Sequence, residues 1–255
     1  MKKLSLLIIL FTTINIVAQN NMQWRAVFQY KQIVSEKEKI RRDSMIKAQP
    51  AMADILKKIF KRFTDRTYIL DFNKTTSVYK EEKKLEKSKG LIMGGLKDRI
   101  LYKNILTGTY LNKRPSIDET FIISDSLPEY NWKISNESKK IGTYTVVKAE
   151  TTDPKKKDKK ITAWFTPELP IGNGPEKYWG LPGFIMEIND GKNIYLCKKI
   201  IINPKDKVEI KAPEKGKIVD EETYEKEMEK IRKKMEKMYK NRRKGKSNNT
   251  IKITM

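Results

Sequence analysis

Any acid–base chemistry in this chain would have to rest on carboxylates, Lys or Tyr, because its 255 residues include no histidine. That absence removes Ser-His-Asp and Cys-His nucleophile activation and any His-ligated zinc from within the chain. Glu187 is the first carboxylate to consider, since it sits in an apolar strand between Met186 and Ile188, and burial there would raise its pKa. Strand alternation points its side chain away from those two neighbours, which assigns it to an exposed face. Glu168 is the second, in the turn-rich segment that precedes the strand. Together, Glu168 and Glu187 define the alternative reading, a carboxylate-dependent hydrolase. Glu137 and Lys139 read as an ordinary solvated pair. An oxygen-ligand metal site is hard to assemble: Glu168 and Asp190 are far apart, Asn189 offers a neutral amide, and Asp190 is committed to a turn. No metal and no cofactor is expected.

These residues belong to an unusual segment, Ala163 to Asp190 (AWFTPELPIGNGPEKYWGLPGFIMEIND). Between Pro167 and Gly183, eight of seventeen residues are Pro or Gly. Proline fixes φ and glycine permits φ > 0, so this density describes a path of specified turns. Two uses fit it. Structurally, Gly180 and Gly183 permit tight bends around Leu181-Pro182, and Trp164 and Trp179 plug one end of a sheet. Functionally, Trp164, Glu168, Tyr178, Trp179, Gly180, Pro182, Gly183 and Phe184 form a candidate binding rim around a cavity mouth, with Glu176 beside them.

Composition bounds the setting. Lys2 and Lys3 precede a largely apolar run from Leu4 to Val17, then Ala18, which is the pattern of a secretory signal peptide over residues 1–19. The run is too short and too interrupted by Thr12, Thr13 and Asn15 to span a bilayer. With no Cys near that site, a lipid anchor is not expected. The expected location is exported: periplasmic, outer-membrane associated or extracellular. The single cysteine, Cys197, lies in the strand-like NIYLCKKIII and reads as a buried small apolar residue. The formal net charge of +23 is dominated by Lys. A Lys-rich, His-free composition is compatible with genomic bias or with attraction to an anionic membrane surface. Export and the lack of basic patches interleaved with stacking aromatics argue against nucleic acid.

The elements that must position the loop are mostly strands. Trp24 to Val34 alternates as a strand. Glu36 to Phe63 then switches to helical period, with Ser35 as N-cap, Glu38 completing a capping box, and Pro50 breaking the helix. Arg66 to Phe72 and Thr76 to Tyr79 flank a hairpin turn at Asn73-Lys74, and further strand patterns fill Arg99 to Ser124 and Trp132 to Phe165. Lys80 to Lys97 reads as a mobile loop, with Gly90, Gly94 and Gly95. Gly183 to Asn189 and Asn193 to Ile202 meet at Asp190-Gly191, a strong hairpin signal. The expected class is α+β, mainly β: a curved antiparallel meander of about nine or ten strands, with an N-terminal helical excursion and a C-terminal charged helix. In that helix Tyr224, Met228, Ile231, Met235 and Met238 form a heptad-like stripe. The expected division is a β-rich domain over 20–210 and a basic helix with a disordered tail over 211–255.

Four blocks in order carry a resemblance. ILDFNKTTSVY (Ile69 to Tyr79), WKISNESKKIGTY (Trp132 to Tyr144) with Ala149, AWFTPELPIGNGP (Ala163 to Pro175) and GLPGFIMEI (Gly180 to Ile188) resemble the signature blocks of the GLPGLI family, exported proteins typical of Bacteroidetes. The similarity covers roughly residues 24 to 202, and Phe184 stands where the name-giving motif has Leu. The resemblance implies secretion and a shared fold, and it imports no mechanism. The reading that follows is a non-enzymatic envelope protein with a binding or scaffold role, its partner an envelope protein or an amphiphilic ligand.

Overall fold

The computed structural model describes residues 22–82, 98–116, 119–206 and 208–247. The N-terminal apolar segment, the loop with Gly90, Gly94 and Gly95, and the tail after Ser247 lie outside the described residues. Twelve strands form a single sheet: β1 (Trp24–Gln32), β2 (Asp65–Phe72), β3 (Thr76–Glu81), β4 (Ile100–Asn104), β5 (Thr109–Pro115), β6 (Thr120–Ser126), β7 (Lys133–Ile141), β8 (Tyr144–Asp153), β9 (Lys156–Thr166), β10 (Phe184–Asn189), β11 (Asn193–Ile202) and β12 (Lys217–Val219). Among the described residues three helices accompany them: α1 (Glu36–Ala48), α2 (Ala53–Thr64) and α3 (Glu221–Ser247).

The strand order is β12-β6-β5-β4-β3-β2-β1-β11-β10-β9-β8-β7. Two runs of consecutive antiparallel strands, β1 to β6 and β7 to β11, are joined where β1 pairs with β11. The count exceeds the nine or ten expected. The addition that no periodicity announces is β12, three residues that pair with β6 in parallel and so depart from a pure meander. Local turn chemistry closes the hairpins. Asn73 Oδ1 accepts from the amides of Thr75 and Thr76, and the Asp190 carboxylate accepts from those of Lys192 and Asn193. Gly191 takes φ +78° in that second turn.

The sheet is strongly curved. Phe72 on β2 stacks on Phe184 at the start of β10, with ring centroids 4.7 Å apart. Three interstrand steps separate those strands, about 14 Å along a flat sheet at the usual strand spacing. Only a concave sheet brings the rings together. Its inner face carries Ala26, Phe28, Leu70, Phe72, Leu101, Ile123, Ile161, Ala163, Phe165 and Ile188, all buried in one hydrophobic core.

Between β1 and β2 the helical period is realised as α1 and α2, separated at Pro50 by a short 3₁₀ turn. Ser35 caps α1 by accepting from the Glu38 amide. At the other end, α3 docks through its first turns, where Tyr224 meets the Phe121 ring edge-on and Arg114 lies over Tyr224.

Candidate functional site

The Pro167–Gly183 loop leaves β9, crosses the concave face and returns to β10. Ile171, Tyr178 and Leu181 are buried in the core. The loop pairs with itself at an Asn173–Trp179 bridge, and the Gly180 amide donates to the Gly172 carbonyl at 3.0 Å. It is tied to the strand it feeds by Ile185 N–H to Asn173 O at 2.9 Å. Three glycines of the loop are dictated by contact, Gly172 among them because a Cβ there would lie 2.8 Å from the Leu181 carbonyl oxygen. A Cβ on Gly183 would lie 2.2 Å from the Thr166 carbonyl oxygen, and one on Gly174 would lie 2.7 Å from Ile185 Cβ.

Several of its polar groups are answered from distant parts of the chain, although Asn173 Nδ2 is buried without a partner. Lys103 on β4, fully buried, donates from Nζ to the carbonyls of Gly174 at 2.6 Å and Tyr178 at 3.4 Å. Burial pushes its pKa down to about 7, with Glu176 opposing the shift. Arg99 clamps Glu176 through two hydrogen bonds of 2.9 and 2.6 Å, and Glu176 holds φ +49° to present its carboxylate there. Lys177 meets Glu221 of α3 at 2.7 Å, and Tyr110 donates to the same carboxylate. Burial pushes Glu221 up, but these hydrogen bonds outweigh it and hold the carboxyl below its usual range. Trp179 Nε1 donates to Pro128 O at 2.8 Å, and Trp132 Nε1 donates to Trp179 O at 2.9 Å.

An aromatic row lines the same face: Tyr79, Tyr68, Tyr30, Tyr195, Tyr178 and Tyr130, each ring 4.9 to 6.2 Å from the next. Burial raises the phenol pKa along the whole row, so these groups stay protonated; Tyr30 donates to Asn193 at 2.9 Å, while the Tyr79 hydroxyl is buried without a partner. Tyr178 donates to Asp190 at 3.1 Å, and Lys159 approaches the same carboxylate at 3.2 Å.

The eight rim candidates do not gather into one mouth. Phe184 and Tyr178 are buried core residues, and Gly183 is buried against β9. Gly180 and Pro182 are exposed and Trp179 is half-buried beside Trp132. Trp164 lies in the opposite phase of β9 from Ile161, Ala163 and Phe165, with Lys139 Nζ 4.2 Å from its ring centroid. Glu168 is exposed and accepts from the Thr145 amide at 2.8 Å. Glu187 is half-buried rather than open, because Lys139 reaches its carboxylate at 2.5 Å. Lys139 therefore leaves Glu137, which pairs with Lys148 at 2.8 Å. The Glu187–Lys139 pair borders a groove of about 450 Å³ that also touches Ile141, Leu196 and Lys198. Cys197 is buried, and burial pushes its thiol up to about 12. Among the described residues no cluster of three His, Cys, Asp or Glu side chains could hold a metal ion.

Sequence reasoning missed Lys103, Arg99 and the tyrosine row. A signal existed for Lys103, which shares the inward phase of Leu101 in ILYKN, a position where a lysine needs a dedicated partner.

A family model described as a protein of unknown function (Porph_ging) matches residues 151–187, from the end of β8 through β9 and the loop into β10. No curated protein matches the sequence. Among solved structures the chain is similar to PNGF-II, determined in C2 and P21 crystal forms, with a TM-score of 0.52 and 14% identity in each. The match covers 80% of this chain and 32% of that one, so the chain spans about a third of the length of PNGF-II. At that identity the likeness shows the fold alone.

Proposed function

We propose that this chain is an exported envelope module of the GLPGLI kind that works as a rigid, non-catalytic scaffold and binds a partner protein or an amphiphile on its outer surface. The observation that carries this reading is the occupancy of the concave face. The Pro167–Gly183 loop fills it, and Lys103, Glu176, Lys177, Tyr178 and Trp179 are each bonded to a group of the same chain. A carrier needs an apolar hollow there, and a catalytic loop needs polar groups left for a substrate. The two carboxylates of the hydrolase alternative have separate commitments, Glu168 to a backbone amide and Glu187 to Lys139. The N-terminal basic and apolar segment supports export.

Expression of the full chain in a Gram-negative host, followed by fractionation, N-terminal sequencing and solvent extraction, tests the proposal. The expected result is an envelope protein starting near Gln19 or Asn20, with no stoichiometric lipid enclosed. Retention of residues 1–19 on a cytosolic protein, or an enzymatic turnover abolished by Glu187→Gln, would overturn it.

A further inference from the structure

Helix α2 carries apolar residues at Met52, Ile55, Leu56, Ile59, Phe60 and Phe63, a continuous stripe at helical period that begins in the turn before it. A stripe of that width normally lies on a hydrophobic core. Here neither helix of the excursion buries a single residue, and Ile55 remains 51% exposed. Met52 and Ile40 of α1 are likewise exposed. A guanidinium group lies over each of two rings: Arg42 over Phe60 and Arg66 over Phe63. The opposite stripe is cationic. Lys57, Lys58, Lys61 and Arg62 are all exposed, and the one acid of α2 is Asp54, 3.8 Å from Lys57. From Ser35 to Thr64 there are nine basic residues and four acidic ones.

We infer that α2 is an interfacial helix that lays its apolar stripe on the surface of an anionic lipid bilayer. An apolar face that is half-covered at Leu56, Ile59, Phe60 and Phe63 and open at Met52 and Ile55, flanked by Lys and Arg, matches the boundary between acyl chains and negative headgroups, where basic side chains extend their stems along apolar surface and leave their charges at the headgroups. Charge complementarity selects this occupant. A second copy would bring two cationic helices together, whereas a negative surface satisfies both stripes at once. Lipid binding by α2 requires no particular chemistry at the Pro167–Gly183 loop, so its failure would leave the scaffold reading standing.

The test is flotation of the protein beginning at Asn20, which keeps every described element, with vesicles of phosphatidylcholine alone or mixed with phosphatidylglycerol. The wild type is expected to float with the mixed vesicles and not with the neutral ones. Ile55→Ser with Ile59→Ser changes no charge and is expected to weaken binding by about tenfold or more. Lys57→Glu with Lys61→Glu is expected to abolish it, and an unchanged melting temperature confirms that both variants fold. Three results would overturn the inference: no flotation of the wild type, equal flotation of the Ser variant (adsorption by charge alone), or self-association that the Ser variant loses without any vesicle binding.

Discussion

The Lys103 side-chain amine on β4 hydrogen-bonds the carbonyl of Gly174 at 2.6 Å, so a fully buried amine pins the middle of the Pro167–Gly183 loop to a strand five places from β10 in the sheet. The Gly174 backbone in turn packs against Ile185 of β10. The curvature of the sheet and the path of the loop thus depend on each other. Lys103→Met removes the donor and leaves two buried carbonyls unanswered. It should lower the unfolding free energy by about 1–3 kcal/mol near neutral pH, measured by urea denaturation.

The same residue gives a pH signature. Its pKa is about 7 in the folded protein against 10.5 when free, so between those values the unfolded chain binds the extra proton. Stability from this site is therefore lowest below about pH 7 and rises as pH climbs toward 10.5, by up to about 1.4 kcal/mol per unit. The raised tyrosine pKa values act oppositely near and above pH 10, but they are common to wild type and variant. The difference in stability between wild type and Lys103→Met should therefore grow from pH 7 to pH 9. A difference that stays flat would mean that Lys103 is charged in the fold.

The Arg99–Glu176 clamp should behave as a coupled pair. Glu176→Gln keeps the shape but strands a partly buried guanidinium, at a cost of about 2 kcal/mol. A double-mutant cycle with Arg99→Gln should return a coupling energy of about 1–2 kcal/mol, well above that of an exposed pair.

The loop glycines should not be equivalent. Gly183→Ala drives a Cβ into the Thr166 carbonyl, a backbone atom that cannot step aside, and should cost several kcal/mol or prevent folding. Gly180 has φ +88° and a Cβ there would meet only Trp132 Nε1, at an ordinary 4.0 Å, so Gly180→Ala should cost only about 1 kcal/mol of backbone strain. Thermal melts of the two variants compare them directly.

Much of this architecture was legible in the sequence, and the reasons are local. Ser35, Pro50, Asn73 and the Asp190-Gly191 pair each act within a few residues, and each terminates or turns the chain where its chemistry requires. Strand β12 was illegible because three residues have no measurable period and owe their conformation to β6. The placement of the loop residues was hidden for a related reason. Phe184 and Tyr178 sit in a segment rich in turn residues, which suggests surface, yet curvature folds that segment inside the sheet, where Phe72 and Asp190 wait as partners. Curvature arises from contacts between strands far apart in sequence, and no short window contains it. Glu187 was expected in the open for want of one long-range fact, the reach of Lys139 from β7.

Native-state hydrogen exchange resolved by residue tests the central claim, that the Pro167–Gly183 loop is a structural plug and not a lid. The amides of Tyr178, Gly180 and Ile185, bonded to Pro175, Gly172 and Asn173, should exchange as slowly as those of β1 and β2 and by the same global unfolding. Exchange of the loop amides by a low-energy local opening, while β1 and β2 stay protected, would contradict the account and make the loop a gate over a binding cavity.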